Sequence, residues 1–240
     1  MHFFKFKIVI FICIGFLLLM FISVVQAQDK KNSLAGQYAI GGGWGVKHAT
    51  ITDSTLPRVL LIGDSMLGGY GDEVVELLKG KANVDRWTTP RFVGDTLCEQ
   101  LKTVVVGIPY ALIHFNEAGL HSLSSDRVPT GQYGLRMAEF IKTMKAVAPK
   151  AKLIWANTTP VTVKGRPGVL NDTLTSVVVE HNSATAPIVK AYGIATDDLY
   201  TLMMNHLDLA KGDQWHWNTK GRSVMAKAVA ASILMYLQVK

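Results

Sequence analysis

Three segments, far apart in a chain of 240 residues, carry side chains that could do nucleophilic chemistry together. The first is Gly63-Asp64-Ser65-Met66, which directly follows the apolar run Val59–Ile62. A serine at a strand-to-helix turn presents its hydroxyl at the carboxyl edge of a sheet, where open α/β folds bind ligands. It also sits near a helix N-terminus, whose unpaired N–H groups can stabilise an oxyanion. A serine hydroxyl is a poor nucleophile without an adjacent base. The second segment, Asp213-Gln214-Trp215-His216, supplies one. A carboxylate three residues before an imidazole can orient the ring, and the ring can take the serine's proton. Histidine ordinarily titrates near about 6.5, which suits proton transfer close to neutrality. The third segment is Ile113-His114-Phe115-Asn116-Glu117, an apolar run that ends in a side-chain amide. An amide aimed at developing negative charge contributes roughly 3–4 kcal/mol to a transition state. Each residue also has a plainer reading. Ser65 could be a helix cap, Asp213 a turn cap, His216 a surface residue and Asn116 a turn residue.

The elements that must position these residues follow from the apolar patterning. Strands are predicted at 58–63, 82–87, 109–115, 151–157 and 193–196. Helices are predicted at 68–79, 95–104, 131–147, 172–191 and 218–237. Gly80 closes the first helix and Pro149 follows the third. Strand-helix alternation implies right-handed crossovers and a parallel sheet covered on both faces. The expected architecture is a flavodoxin-like, three-layer α/β/α sandwich with a mostly parallel five-stranded sheet. Residues 28–57 are polar and contain Gly41-Gly42-Gly43-Trp44-Gly45, which predicts a surface lead-in.

The N-terminus reads as an export signal. Lys5 and Lys7 precede the apolar stretch Ile8–Val25, and Val25-Gln26-Ala27 fits a cleavage site. Eighteen apolar residues can also just span a bilayer, so an uncleaved membrane anchor is the alternative. The expected organisation is therefore a signal peptide at 1–27, the lead-in at 28–57 and one domain at 58–240. A periplasmic or secreted location follows, with the membrane as partner only through an uncleaved N-terminal segment. Cleavage would leave Cys98 as the sole cysteine, because Cys13 lies in the signal. Cys98 is expected to be a buried structural thiol.

Loss of Lys5 and Lys7 would lower the formal charge from +7 to +5. The basic residues are dispersed and no nucleic-acid motif is present, so nucleic acid is not an expected partner. There is no His-Glu-x-x-His, no Cys-x-x-Cys pair and no Gly-x-Gly-x-x-Gly after a strand. No metal and no other cofactor is therefore expected.

In their chain order, Gly-Asp-Ser-Met, the Asn116 segment and Asp-x-x-His resemble the SGNH (GDSL-type) hydrolase superfamily, over roughly Arg58 to the C-terminus. Met66 replaces the family's leucine. His114-Phe115-Asn116-Glu117 stands where the family has Gly-x-Asn-Asp. The resemblance implies Ser65 as nucleophile, His216 as general base and acid, and Asp213 as its orienter. It implies an oxyanion hole built from the Ser65 N–H, the Asn116 amide and a glycine after the second strand, for which Gly94 is the candidate. His114, His121, Arg166, Trp215 and Trp217 are candidates for substrate contact, the tryptophans because they flank His216. The activity implied is that of an exported, carbohydrate-esterase-like serine esterase acting on an acylated glycan, most simply an O-acetyl group. A lipid-directed esterase or lysophospholipase is the alternative within that chemistry. A non-catalytic glycan-binding module on the same scaffold is the alternative outside it.

Overall fold

The computed structural model describes residues 45–89, 96–116, 120, 128 and 131–238. All belong to one compact unit, Gly41–Lys240. The strands of the main sheet are β1 (Gly45–Lys47), β2 (Arg58–Gly63), β3 (Asn83–Thr88), β4 (Leu112–Phe115), β5 (Lys152–Ala156) and β8 (Ala195–Asp197). A separate hairpin is formed by β6 (Thr162–Val163) and β7 (Arg166–Leu170). The helices are α1 (Ser65–Leu77), α2 (Leu97–Val105), α3 (Tyr133–Val147), α4 (Asp172–Ala191), α5 (Leu199–Met204) and α6 (Thr219–Leu237).

The sheet runs β1-β3-β2-β4-β5-β8, and every pairing is parallel except that of β1 with β3. The five parallel strands are those the sequence predicts. The sixth corrects the expected count. Gly45, Val46 and Lys47 pair with Thr88, Trp87 and Arg86, so the end of the lead-in is a sheet edge rather than a surface segment alone. Because β3 lies on one side of β2 and β4 on the other, the chain reverses its winding between β2 and β4. The carboxyl ends of those two strands open the crevice where such folds bind ligands.

Branched apolar residues fill both faces of the parallel strands, as a sheet covered twice requires. On one face Val59, Leu61, Leu112 and Ile154 pack with α1 and α6, through residues such as Val74, Met225 and Val229. On the other face Leu60, Ile62, Ile113 and Phe115 pack with α2 and α3, through Leu101, Phe140 and Ile141. Phe115 meets Phe140 edge to face, with ring centroids 6.2 Å apart. Cys98 is a free thiol, half-buried rather than buried, and that partial burial raises its pKa.

One buried acid joins the lead-in to this core. Asp85, on β3, has no exposed side-chain surface. It accepts hydrogen bonds from the Arg58 guanidinium (2.7 Å), the Tyr110 hydroxyl (2.7 Å) and the Ala49 N–H (2.7 Å). A charge removed from water needs such a set of donors to be tolerated.

Candidate active site

Ser65 is the first residue of α1. Asp64 caps the helix by accepting the Met66 N–H at 2.8 Å. The Ser65 N–H, in the first turn, has no intrahelical acceptor and lies at the positive end of the helix dipole. The sequence predicts this helix from residue 68. Asp64 starts it three residues earlier and carries Ser65 onto its N-terminus.

The second element is a narrow loop ahead of α6. Ala210 forms an isolated bridge with Trp217, and the Lys211 N–H donates to the His216 carbonyl at 2.8 Å. Asp213 lies in the turn of this loop and His216 at its closing hydrogen bond. His216 Nε2 lies 3.0 Å from Ser65 Oγ, and His216 Nδ1 lies 2.9 Å from Asp213 Oδ2. An ionised carboxylate can only accept, so Nδ1 carries the proton and Nε2 is left to accept from the serine hydroxyl. Asp213 Oδ1 also accepts the His216 N–H (2.8 Å) and the Trp215 N–H (3.1 Å). Partial burial raises the Asp213 pKa, but these donors and the nearby imidazole outweigh it and bring the group from 3.8 down to about 2. Its side chain is 34% exposed, and Lys211 Nζ approaches it at 3.3 Å.

The depressed pKa makes stability depend on pH. The stabilisation is fully present above the ordinary carboxylate value of 3.8 and is lost as pH falls towards about 2. Denaturant midpoints of wild type and Asp213→Asn are expected to differ at pH 5 and to converge at pH 2. A gap that persists unchanged at pH 2 would contradict the assignment.

Asn116 follows β4. Its backbone N–H donates to the Ile62 carbonyl at 3.1 Å, continuing the ladder past the strand. Its side chain lies across Gly63 at the end of β2. A Cβ on Gly63 would stand 3.2 Å from both Asn116 amide atoms and 2.6 Å from the Leu67 Cβ. Glycine is needed there because a Cβ would collide with Leu67 in the first turn of α1 and would also crowd the Asn116 amide. Gly63→Ala should shift the first turn of α1, which carries Ser65, and crowd Asn116, lowering kcat by about 10²-fold, the scale of a ~1 Å misplacement at a reacting site. Full activity in a folded Gly63→Ala protein would show that the site does not depend on this contact.

The structure thus brings Ser65, Asp213, His216 and Asn116 to one edge of the sheet. Gly94, His121 and Glu117 lie outside the described residues. His114 is corrected: it is 1% exposed, on the α1/α6 face, with Nε2 3.1 Å from Asp197 Oδ2. Strand alternation turns it into the core beside Leu112 and away from the opening. Trp217 is corrected as well. It is 2% exposed, and its indole N–H donates to Thr159 Oγ1 at 3.2 Å, so it anchors the loop in the core. Trp215 remains partly open at 37%, and Arg166 is exposed on β7. Asn171 caps α4, and Asn157 joins Asp198 to the start of α5. Sequence reasoning missed Gly63 as a support of Asn116, although its place before Asp64 was visible. It also missed the β6–β7 hairpin, which Gly165 and Pro167 disguise as loop. Among the described residues, no group of three or more histidine, cysteine or acidic side chains could hold a metal. None of the described helices is long and apolar enough to cross a membrane.

No family model and no curated protein matches the chain in sequence. Solved structures do match in fold. LAE5, an α/β hydrolase enzyme from the metagenome of Lake Arreo, Spain, superposes with a TM-score of 0.60 at 14% identity, covering 73% of this chain and 94% of that one. Axe2, an acetylxylan esterase from Geobacillus stearothermophilus, gives 0.58 at 15% identity, covering 77% and 95%. The lipase/acylhydrolase from Enterococcus faecalis gives 0.55 at 19% identity, covering 74% and 95%. Likeness at these identities speaks for architecture alone, and the chain shares the three-layer α/β/α fold of these structures.

Proposed function

We propose that this protein is a serine esterase that removes small acyl groups, O-acetyl first among them, from a glycan outside the cytoplasm. The observation that carries this reading is the unbroken Ser65–His216–Asp213 hydrogen-bond chain at the carboxyl edge of the sheet. In the reaction, Ser65 Oγ attacks the ester carbonyl as His216 Nε2 takes its proton. Asp213 keeps the imidazole in the right tautomer and stabilises the imidazolium. The Ser65 N–H and the Asn116 amide hold the oxyanion, with Gly94 as a further donor. His216 then gives the proton to the leaving alcohol, and water hydrolyses the acyl-enzyme with His216 as base.

The choice of a glycan ester rests on three supports. The structural neighbours include an acetylxylan esterase. Trp215 offers a partly open aromatic face next to His216, and such faces stack on sugars. The N-terminal 27 residues have the pattern of an export signal, which fits an enzyme of the periplasm or the cell exterior. The test is acetate release from a panel of O-acetylated polysaccharides, with p-nitrophenyl acetate and long-chain p-nitrophenyl esters alongside, by wild type and Ser65→Ala. Acetate release lost in Ser65→Ala is expected. Faster turnover of long acyl chains would replace the glycan with a lipid ester. Binding of acetylated glycan with no ester loss would make the protein a binding module.

A further inference from the structure

Asp213 accepts hydrogen bonds from three donors within three residues, and the chain must fold back sharply to deliver them. That fold puts Gly212 at φ 90° and Gln214 at φ 86°. Glycine adopts this region freely, whereas a side chain with a Cβ does not. Among the described residues, Gln214 and Gln238 are the non-glycine residues with positive φ. Gln238 caps the end of α6, a place where left-handed backbone is common. Gln214 has no such setting. Strained backbone of this kind persists only where its surroundings hold it.

Gly212 and Gln214 flank Asp213, and both are held by the same neighbour. The Thr162 N–H donates to the Gln214 carbonyl at 3.2 Å, and the Gly165 N–H donates to the Gly212 carbonyl at 2.8 Å. Both donors belong to the β6–β7 hairpin, with Gly165 in its turn at φ 75°. Pro167 packs beside Gly212. The hairpin's base is itself fixed. Thr175 of α4 exchanges hydrogen bonds with Val161 (3.3 and 3.1 Å), and the Asn171 N–H donates to the Val161 carbonyl at 2.8 Å. A rigid line therefore runs from α4 through the hairpin to the two carbonyls around Asp213.

We infer that the β6–β7 hairpin is a positioning element for Ser65 reactivity, its Thr162 and Gly165 N–H groups locking the strained Gly212–Gln214 turn that aims Asp213 and His216. The inference rests on the reading of Ser65 as nucleophile. Without the brace, Gln214 relaxes towards negative φ, and the imidazole leaves the line to Ser65 Oγ. A displacement of about 1 Å at such a site costs on the order of 10²-fold in rate.

The test uses the full chain with residues 163–169 replaced by two glycines, alone and combined with Gln214→Gly. The readouts are kcat and KM for p-nitrophenyl acetate and the rate of Ser65 phosphonylation by a fluorophosphonate, each well below the protein's Tm. Shortening the hairpin is expected to lower kcat and the labelling rate by about tenfold or more at unchanged KM. Adding Gln214→Gly should restore part of the loss, because glycine holds the turn without strain. Labelling at the wild-type rate, a change in KM alone, or no rescue would overturn the inference. If the shortened protein does not fold, Thr162→Pro in the intact chain decides instead, because proline lacks the N–H that holds the Gln214 carbonyl. Thr162→Pro is expected to label at least about tenfold more slowly than wild type, and labelling at the wild-type rate would overturn the inference. Wild-type protein that neither hydrolyses ester nor labels would refute the nucleophile reading itself, an outcome distinct from normal labelling in the hairpin variants.

Discussion

His216→Ala is expected to lower kcat for p-nitrophenyl acetate by about 10⁴- to 10⁶-fold while KM changes little. The imidazole is the group within reach of Ser65 Oγ that can take its proton, at 3.0 Å. It does nothing for ground-state binding of a small ester, so its loss falls on the chemical step. The same geometry predicts strong non-additivity. Ser65→Ala combined with His216→Ala should be no slower than either single variant, because a base without a nucleophile has nothing to activate. A loss below about 10²-fold, or effects that multiply in the double variant, would mean that the two residues do not act as one unit.

Asp85→Ala is expected to destabilise the fold by about 3–5 kcal/mol, the scale of breaking a buried ion pair by removing one partner. The variant leaves the Arg58 guanidinium, the Tyr110 hydroxyl and the Ala49 N–H without their acceptor. Asp85 also bonds Ala49, two residues beyond β1, so the loss reaches the antiparallel edge of the sheet. Denaturant unfolding of wild type and variant at neutral pH measures the difference. A change under about 1 kcal/mol would show that solvent replaces the lost acceptor.

The parts of this protein legible in its sequence are those fixed by short-range spacing. Val59–Ile62 with Gly63 after it must be a strand that ends, and Asp64 is a natural cap for the helix beyond it. Asp213 and His216 are three residues apart, close enough for a turn to join them before any tertiary contact forms. Other features depend on partners far along the chain. His114 sits in a run buried on both faces, where strand alternation gives no polar side to read, and its partner Asp197 comes 83 residues later. Trp217 and Trp215 look equivalent beside His216, yet the reversal at Gln214 opens one and the bridge from Ala210 to Trp217 buries the other. β1 has only three residues and no apolar alternation, so its strand exists because the edge of β3 offers a ladder. The β6–β7 hairpin carries Gly165, Pro167 and Gly168, residues that read as loop, and it is held by the Gly212–Gln214 turn and α4 around it. Tertiary pairing overrides local preference at each of these points.

The most direct test of the central claim is where a mechanism-based label attaches. Wild-type protein treated with a fluorophosphonate should gain one adduct by intact mass, and peptide mapping should place it on Ser65. His216→Ala should label far more slowly, and Ser65→Ala should not label at all. An adduct on another residue, or ester hydrolysis that survives in Ser65→Ala, would contradict the account.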